Sequence, residues 1–249
     1  GERLHEGLVV LAGEMRRRCR EIFELPDGEG VAWKLVSGER WAGQADYLGQ
    51  RQTLIRINAD LPISSSRLLE LVCHEAYPGH HTEGVCKEVS LIEKAGREEL
   101  SAYVYPTPQA LLSEGLASWA LHALLGDDGE SIAAECLRPI GIPYDPETAS
   151  AVREAEEMLL AVRSNVALML DAGGPSAQAQ DYARAWLLDA PHQIDEAISN
   201  LEARTWRPYE SCYPVGFALC RKYAELRPER FRTLLHEQLT PADLARDTG

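Results

Sequence analysis

Val72-Cys73-His74-Glu75-Ala76-Tyr77-Pro78-Gly79-His80-His81 places three histidines and a carboxylate within eight residues. Neutral imidazole is the usual nitrogen ligand of zinc, and histidines at i and i+4 share one face of a helix, with a glutamate between them able to reach water at the metal. Here position i+4 from His74 is Pro78. On an unbroken helix His80 would point roughly 240° away from His74, and His81 would lie about 10.5 Å along the axis, so neither chelates with His74 from regular geometry. The proline removes the amide that the His74 carbonyl would accept, and Gly79 permits dihedrals that other residues avoid. The chain can therefore bulge and return His80 or His81 to the metal.

A catalytic zinc site commonly takes three protein ligands and leaves a fourth position open. The best further donor is Glu114, in Leu111-Leu112-Ser113-Glu114-Gly115-Leu116-Ala117-Ser118-Trp119. An ionised glutamate on a face that reads as buried needs a partner, and a metal supplies one. Gly115, Ala117 and Ser118 are expected to let this helix approach the His74 helix closely. His122, eight residues after Glu114, lies about 12 Å along the axis and reads as packing or a support to the site.

Outward from these segments the pattern is mostly α with a small β-sheet, an α+β chain read as one domain over residues 1–249. Helical spacing covers Arg3 to Phe23. Strand patterns follow at Val31–Val36 and Thr53–Asn58, separated by turn-rich sequence around Gly38, Gly43 and Gly49. Ser64-Ser65-Ser66 caps a helix running to about Tyr77, and a second is expected from about Glu83 to Ala95. Tyr103-Val104-Tyr105 is a short strand candidate. Thr107-Pro108 reads as the N-cap and first-turn proline of the Glu114 helix, to about Leu125. Beyond it helices are expected over residues 147–170, 177–188, 191–204, 213–226 and 228–239.

The 249 residues carry 25 Lys+Arg against 39 Asp+Glu, a formal charge of −14, which disfavours nucleic acid and anionic membranes as partners. The one dense basic run, Arg16-Arg17-Arg18-Cys19-Arg20, reads as a solvated helix face. No apolar stretch approaches the length of a bilayer span, and the N-terminal residues show no apolar signal core. The six scattered cysteines suit reduced core thiols. A cytoplasmic chain, or a mature fragment, is expected.

His-Glu-x-x-Pro-Gly-His-His followed by a Glu-Gly-x-Ala helix resembles the bacterial domain-of-unknown-function family 885, a member of the zincin-like metallopeptidase clan. The resemblance extends to Tyr47-Leu48-Gly49, to Ile57-Asn58-Ala59-Asp60-Leu61-Pro62 and to Tyr213-Pro214-Val215-Gly216, and covers roughly residues 45–225. It implies a zincin-like catalytic domain in which His74, His80 and Glu114 hold Zn2+, with His80 preferred over His81. It further implies Glu75 as general base and Tyr213 as a catalytic hydroxyl. Leu116 and Trp119 depart from the Trp and Tyr usual in the family's Glu-Gly-Trp-Ala-Leu-Tyr stretch. Family members usually carry a helical N-terminal half that this chain lacks, so part of the cleft is expected from a homo-oligomer or from that missing half.

Two functions follow. The first is zinc-dependent hydrolysis of a peptide or small amide, in which an extended substrate pairs with a sheet edge at Thr53–Asn58 and Arg204 or Arg207 holds a substrate carboxylate. The second is a non-catalytic helical module with a structural or vestigial metal, closed by His81 as a fourth ligand.

Overall fold

The computed structural model describes residues 2–39, 41–202 and 204–247. Helix α1 (Glu2–Phe23) buries Leu8, Leu11, Met15, Cys19 and Phe23, a three-to-four-residue spacing that makes one apolar stripe. Its basic run divides by face. Arg17 and Arg18 pair with Glu14 on the surface, whereas Arg16 reaches inward to the buried Glu29.

Three strands follow, β1 (Gly30–Val36), β2 (Gly43–Gly49) and β3 (Gln52–Asn58), in the order β1-β3-β2. β1 runs parallel to β3, and β2 pairs antiparallel with β3 in the register Ala45↔Ile55. β3 is thus the central strand, and Thr53–Asn58 has no free edge for a substrate. Its buried Thr53, Ile55 and Ile57 alternate toward the core, as a covered strand requires. The edge beside the histidine segment is β2, where turn-rich sequence was expected. The β2–β3 turn places Gln50 and Arg51 at positive φ, and the Glu88 carboxylate accepts both their amides, at 3.0 and 3.1 Å. That anchor offsets a conformation that side-chain-bearing residues disfavour.

Helices α2 (Leu68–Glu75) and α3 (His80–Lys87) flank the Pro78-Gly79 break, and the expected helix to Ala95 continues from α3 as a π-helical stretch over Glu88–Glu93. Tyr103–Tyr105 belongs to no strand. Helix α4 (Pro108–Leu125) starts as expected, with the Thr107 hydroxyl accepting the Ala110 amide at 3.2 Å. It is buried on nearly every side. Then come α5 (Gly129–Leu137), α6 (Pro146–Leu159), α7 (Val162–Asp171), α8 (Ser176–Trp186), α9 (Pro191–Glu202), α10 (Arg207–Glu210), α11 (Cys212–Ala224), α12 (Glu229–His236) and α13 (Pro241–Asp247).

Two apolar clusters result. The larger joins α1, the sheet, α2 to α5 and α11 to α13, and the smaller packs Val166, Ala179, Ala183, Ile194, Ile198 and Leu201 of α7 to α9. The expected helix over 147–170 breaks between α6 and α7 because its halves pack in different surroundings. The six cysteines are free, and no helix is long and apolar enough to cross a membrane among the described residues.

Candidate metal centre

The return of the chain after α2 brings His80 back to His74. The Tyr77–Pro78 peptide is cis, the Tyr77 amide donates to the Val72 carbonyl at 3.1 Å, and the Gly79 amide donates to Cys73 at 2.9 Å. A Cβ on Gly79 would lie 1.9 Å from the His74 carbonyl oxygen, so only glycine fits this fold-back. The His74 and His80 rings end edge to face, with centroids 4.8 Å apart.

Glu114 of α4 meets both. One ligand atom from each of His74, His80 and Glu114 lies within 4.8 Å of the others. His74 Nε2 is 3.3 Å from Glu114 Oε2, and His80 Nε2 is 3.6 Å from Oε1. Zinc bonds of about 2.0–2.1 Å in a tetrahedral arrangement separate neighbouring ligand atoms by about 3.3 Å, the spacing of His74 Nε2 from Glu114 Oε2, while His80 Nε2 approaches the other carboxylate oxygen. Oε2 of Glu114 is buried and accepts no hydrogen bond among the described residues, an orphan acceptor that a cation would satisfy. Two imidazole nitrogens and a carboxylate whose Oε2 is without a partner fit a zinc ion.

The electrostatics point the same way. Burial by itself would raise the Glu114 carboxyl, but His80 and His74 outweigh it and hold the group far below the usual carboxylate range. Burial likewise opposes charge on His80, and Glu114 overrides it and pushes that imidazole well up. Without a metal the two groups form an ion pair, so a cation at this point would take the place of the imidazole proton.

Neighbouring side chains orient the histidine. Ser113 Oγ lies 3.2 Å from His80 Nδ1 and donates to the buried Glu83. A hydroxyl that donates to a carboxylate accepts from Nδ1–H, which assigns Nε2, the nitrogen facing Glu114, to the proton or to a cation that replaces it. His81 faces elsewhere. Its Nδ1 lies 2.7 Å from Thr53 Oγ1 and its Nε2 lies 3.1 Å from Glu29 Oε2, so both nitrogens are engaged in the core. Its closure of the site as a fourth ligand is not what the fold builds.

Glu75 is buried at the end of α2 against β2, where a Cβ on Gly43 would come 3.1 Å from its Oε1. Burial pushes its carboxyl up, partly opposed by His74 and His80. Tyr213 lines the same cavity, of about 1560 Å³, as His74, His80, Glu75 and Glu114. It is Tyr209, however, whose hydroxyl donates to Glu114 Oε1, and its ring lies 5.7 Å from that of Tyr213. Burial and Glu114 push both phenols up, so both stay protonated donors. Sequence reading missed Tyr209; its spacing four residues before Tyr213 was the available signal.

Other expectations change with the packing. Gly115 does not serve the His74 helix but α11, where a Cβ would come 2.2 Å from the Gly216 carbonyl. Arg207 is buried and held by Asp171 at 2.6 Å and by the Leu201 carbonyl at 2.6 Å, so it is no substrate clamp. His122 stacks on Trp119 and bonds Glu157 at 2.7 Å, as the packing reading expected.

No family model and no curated protein matches this sequence. The fold is similar to the crystal structure of "the putative lipoprotein from Colwellia psychrerythraea", with TM-score 0.68 and 20% identity. The match covers 99% of this chain and 42% of that one. At this identity the likeness is one of fold, and the chain spans less than half of its neighbour's length.

Proposed function

We propose that the protein is a zinc-dependent hydrolase of peptide or other amide bonds, with the site plan of the zincin-like family 885. The observation that carries this reading is the convergence of His74, His80 and Glu114 beside the buried Glu75, all lining one large cavity. His74, His80 and Glu114 would hold zinc, which would supply the Lewis acidity to polarise a carbonyl and acidify water. Glu75 takes the proton of the attacking water at its carboxylate and passes it to the leaving amine, a role suited to a carboxyl raised by burial. Tyr213 donates from the cavity wall to oxygen charge developing on the substrate carbonyl. Tyr209 holds Glu114 in place as a ligand.

A structural metal would need a fourth protein ligand. Three residues form the cluster among the described residues, and His81 is engaged elsewhere, which favours the catalytic reading. Metal analysis with an amide-cleavage assay tests it. Glu75→Gln is expected to retain one zinc per chain and to lose turnover by orders of magnitude; unchanged turnover removes Glu75 from the mechanism.

The six free thiols support a reducing, cytoplasmic setting, whereas the lipoprotein description of the structural neighbour supports an extracytoplasmic one. Fractionation of the producing cell separates the two.

A further inference from the structure

Five aromatic rings from three segments meet on one wall of the cavity. Tyr103 and Tyr105 pack edge to face at 4.7 Å, Tyr105 meets Tyr209 at 5.3 Å and Trp206 at 6.5 Å, and Tyr209 meets Tyr213 at 5.7 Å. All five line the cavity that holds His74 and His80. The chain of rings leads from solvent to the ligand set: Tyr105 and Trp206 are 48% and 49% exposed, while the Tyr209 hydroxyl bonds Glu114.

Single exposed aromatics are ordinary, but a contiguous group rimming a cavity marks a binding surface. Tyrosine and tryptophan offer large apolar faces with few rotamers to freeze, and their edges and faces accept another ring. The polar part of the cavity disfavours an acidic occupant. Arg67 is held by Glu156 and Asp189, Arg163 by Asp189, and Lys87 by Glu83, and the wall adds the carboxylates of Glu70, Glu196 and Glu210.

We infer that this aromatic wall is the subsite for an aromatic side chain flanking the scissile bond of a peptide substrate, and that it sets the preference of the enzyme. The inference rests on the amide-hydrolase reading above. It also makes sense of Tyr103-Val104-Tyr105, whose alternation suggested a strand but whose two tyrosines both serve the cavity.

Binding and turnover together test it. End-blocked tetrapeptides with Phe, Ala or Glu at one central position are titrated by calorimetry into the full chain carrying Glu75→Gln, both zinc-loaded and metal-free, and are then offered to the wild-type protein. The Phe peptide is expected to bind at least tenfold more tightly than the Ala peptide, with the Glu peptide weakest, and kcat/KM is expected to follow the same order. Trp206→Ala, which removes a half-exposed ring and should keep the urea midpoint, is expected to lower the Phe-to-Ala ratio at least threefold. Equal binding of the Phe and Ala peptides, or no binding of either, overturns the subsite even if peptides are cleaved. Selective binding with no cleavage of any peptide instead sinks the hydrolase reading and leaves the aromatic preference standing.

Discussion

Gly115→Ala should separate the close contact of α4 and α11 and loosen the proposed metal site in one step. A Cβ at Gly115 would sit 2.2 Å from both the carbonyl carbon and oxygen of Gly216, and one at Gly216 would sit 2.2 Å from the Leu111 carbonyl oxygen. These are backbone atoms of two packed helices, so no side chain can rotate away. Restoring an ordinary contact requires about 1 Å of helix separation. Such a gap forfeits a quarter to a half of the dispersion well, and with on the order of fifty atom pairs at about 0.15 kcal/mol each the loss is about 2–4 kcal/mol. Helix propensity returns about 1 kcal/mol, which leaves a net destabilisation of about 1–3 kcal/mol.

The displacement also reaches chemistry. Glu114 adjoins Gly115, so either α11 moves outward and draws away the Tyr209 region, or α4 moves and changes the spacing of Glu114 from His74. Metal sites tolerate only about 0.2 Å, so zinc affinity should fall at least tenfold. Gly13→Ala is the control: Gly13 lies within α1 with nothing within 4 Å of its added Cβ. It should stabilise the protein by about 0.5–1 kcal/mol. Urea unfolding of both variants, with zinc titration against a competing chelator, makes the comparison. If Gly115→Ala matches Gly13→Ala in stability and keeps wild-type zinc affinity, the close backbone contact does not hold the site.

Two further outcomes follow from buried polar contacts. Burial by itself would raise the Glu29 carboxyl, but bonds from His81, Tyr77 and Arg16 outweigh it and bring it to about 2 from 4.5. A depressed folded-state value means this stabilisation is complete above pH 4.5 and is lost as pH falls toward 2, with a ceiling of about 3 kcal/mol. Urea unfolding at steps across that window should show a shallower pH dependence for Glu29→Gln than for wild type, and parallel curves would refute the assignment. Ser113→Ala removes the oxygen that holds His80 Nδ1 and should weaken zinc binding about 10- to 100-fold, read by chelator competition; unchanged affinity would show that the Ser113 contact orients nothing.

The helices were legible where one local signal suffices. The α1 stripe and the Thr107-Pro108 start of α4 need only spacing and a cap, and both appear in the fold. β2 was not legible because it shows no alternation of buried and exposed positions and ends in glycines; it is a strand because β3 offers it a partner. The break after α6 carries no glycine or proline between Met158 and Ser164. It arises because α7 turns to a separate apolar cluster with α8 and α9, a tertiary preference that overrides local propensity.

The site divides in the same way. Pro78 and Gly79 announced that a regular helix could not place the histidines, and the fold uses that break to set His80 beside His74 and send His81 into the core. The contacts that fix the choice between them are distant in sequence: Glu29 and Thr53 engage His81, while Ser113 and Glu114 engage the face of His80. Tyr209, too, reaches Glu114 across 95 residues. Several segments that carried the family resemblance are posts for this arrangement rather than ligands. The Tyr47 hydroxyl bonds Glu88 beside the β2–β3 turn, a Cβ on Gly84 would come 2.6 Å from the Tyr47 ring, and Gly216 admits α4 against α11. A sequence motif therefore names the candidate ligands most readily, whereas their geometry depends on small residues whose necessity shows only when the opposing backbone or ring is in place.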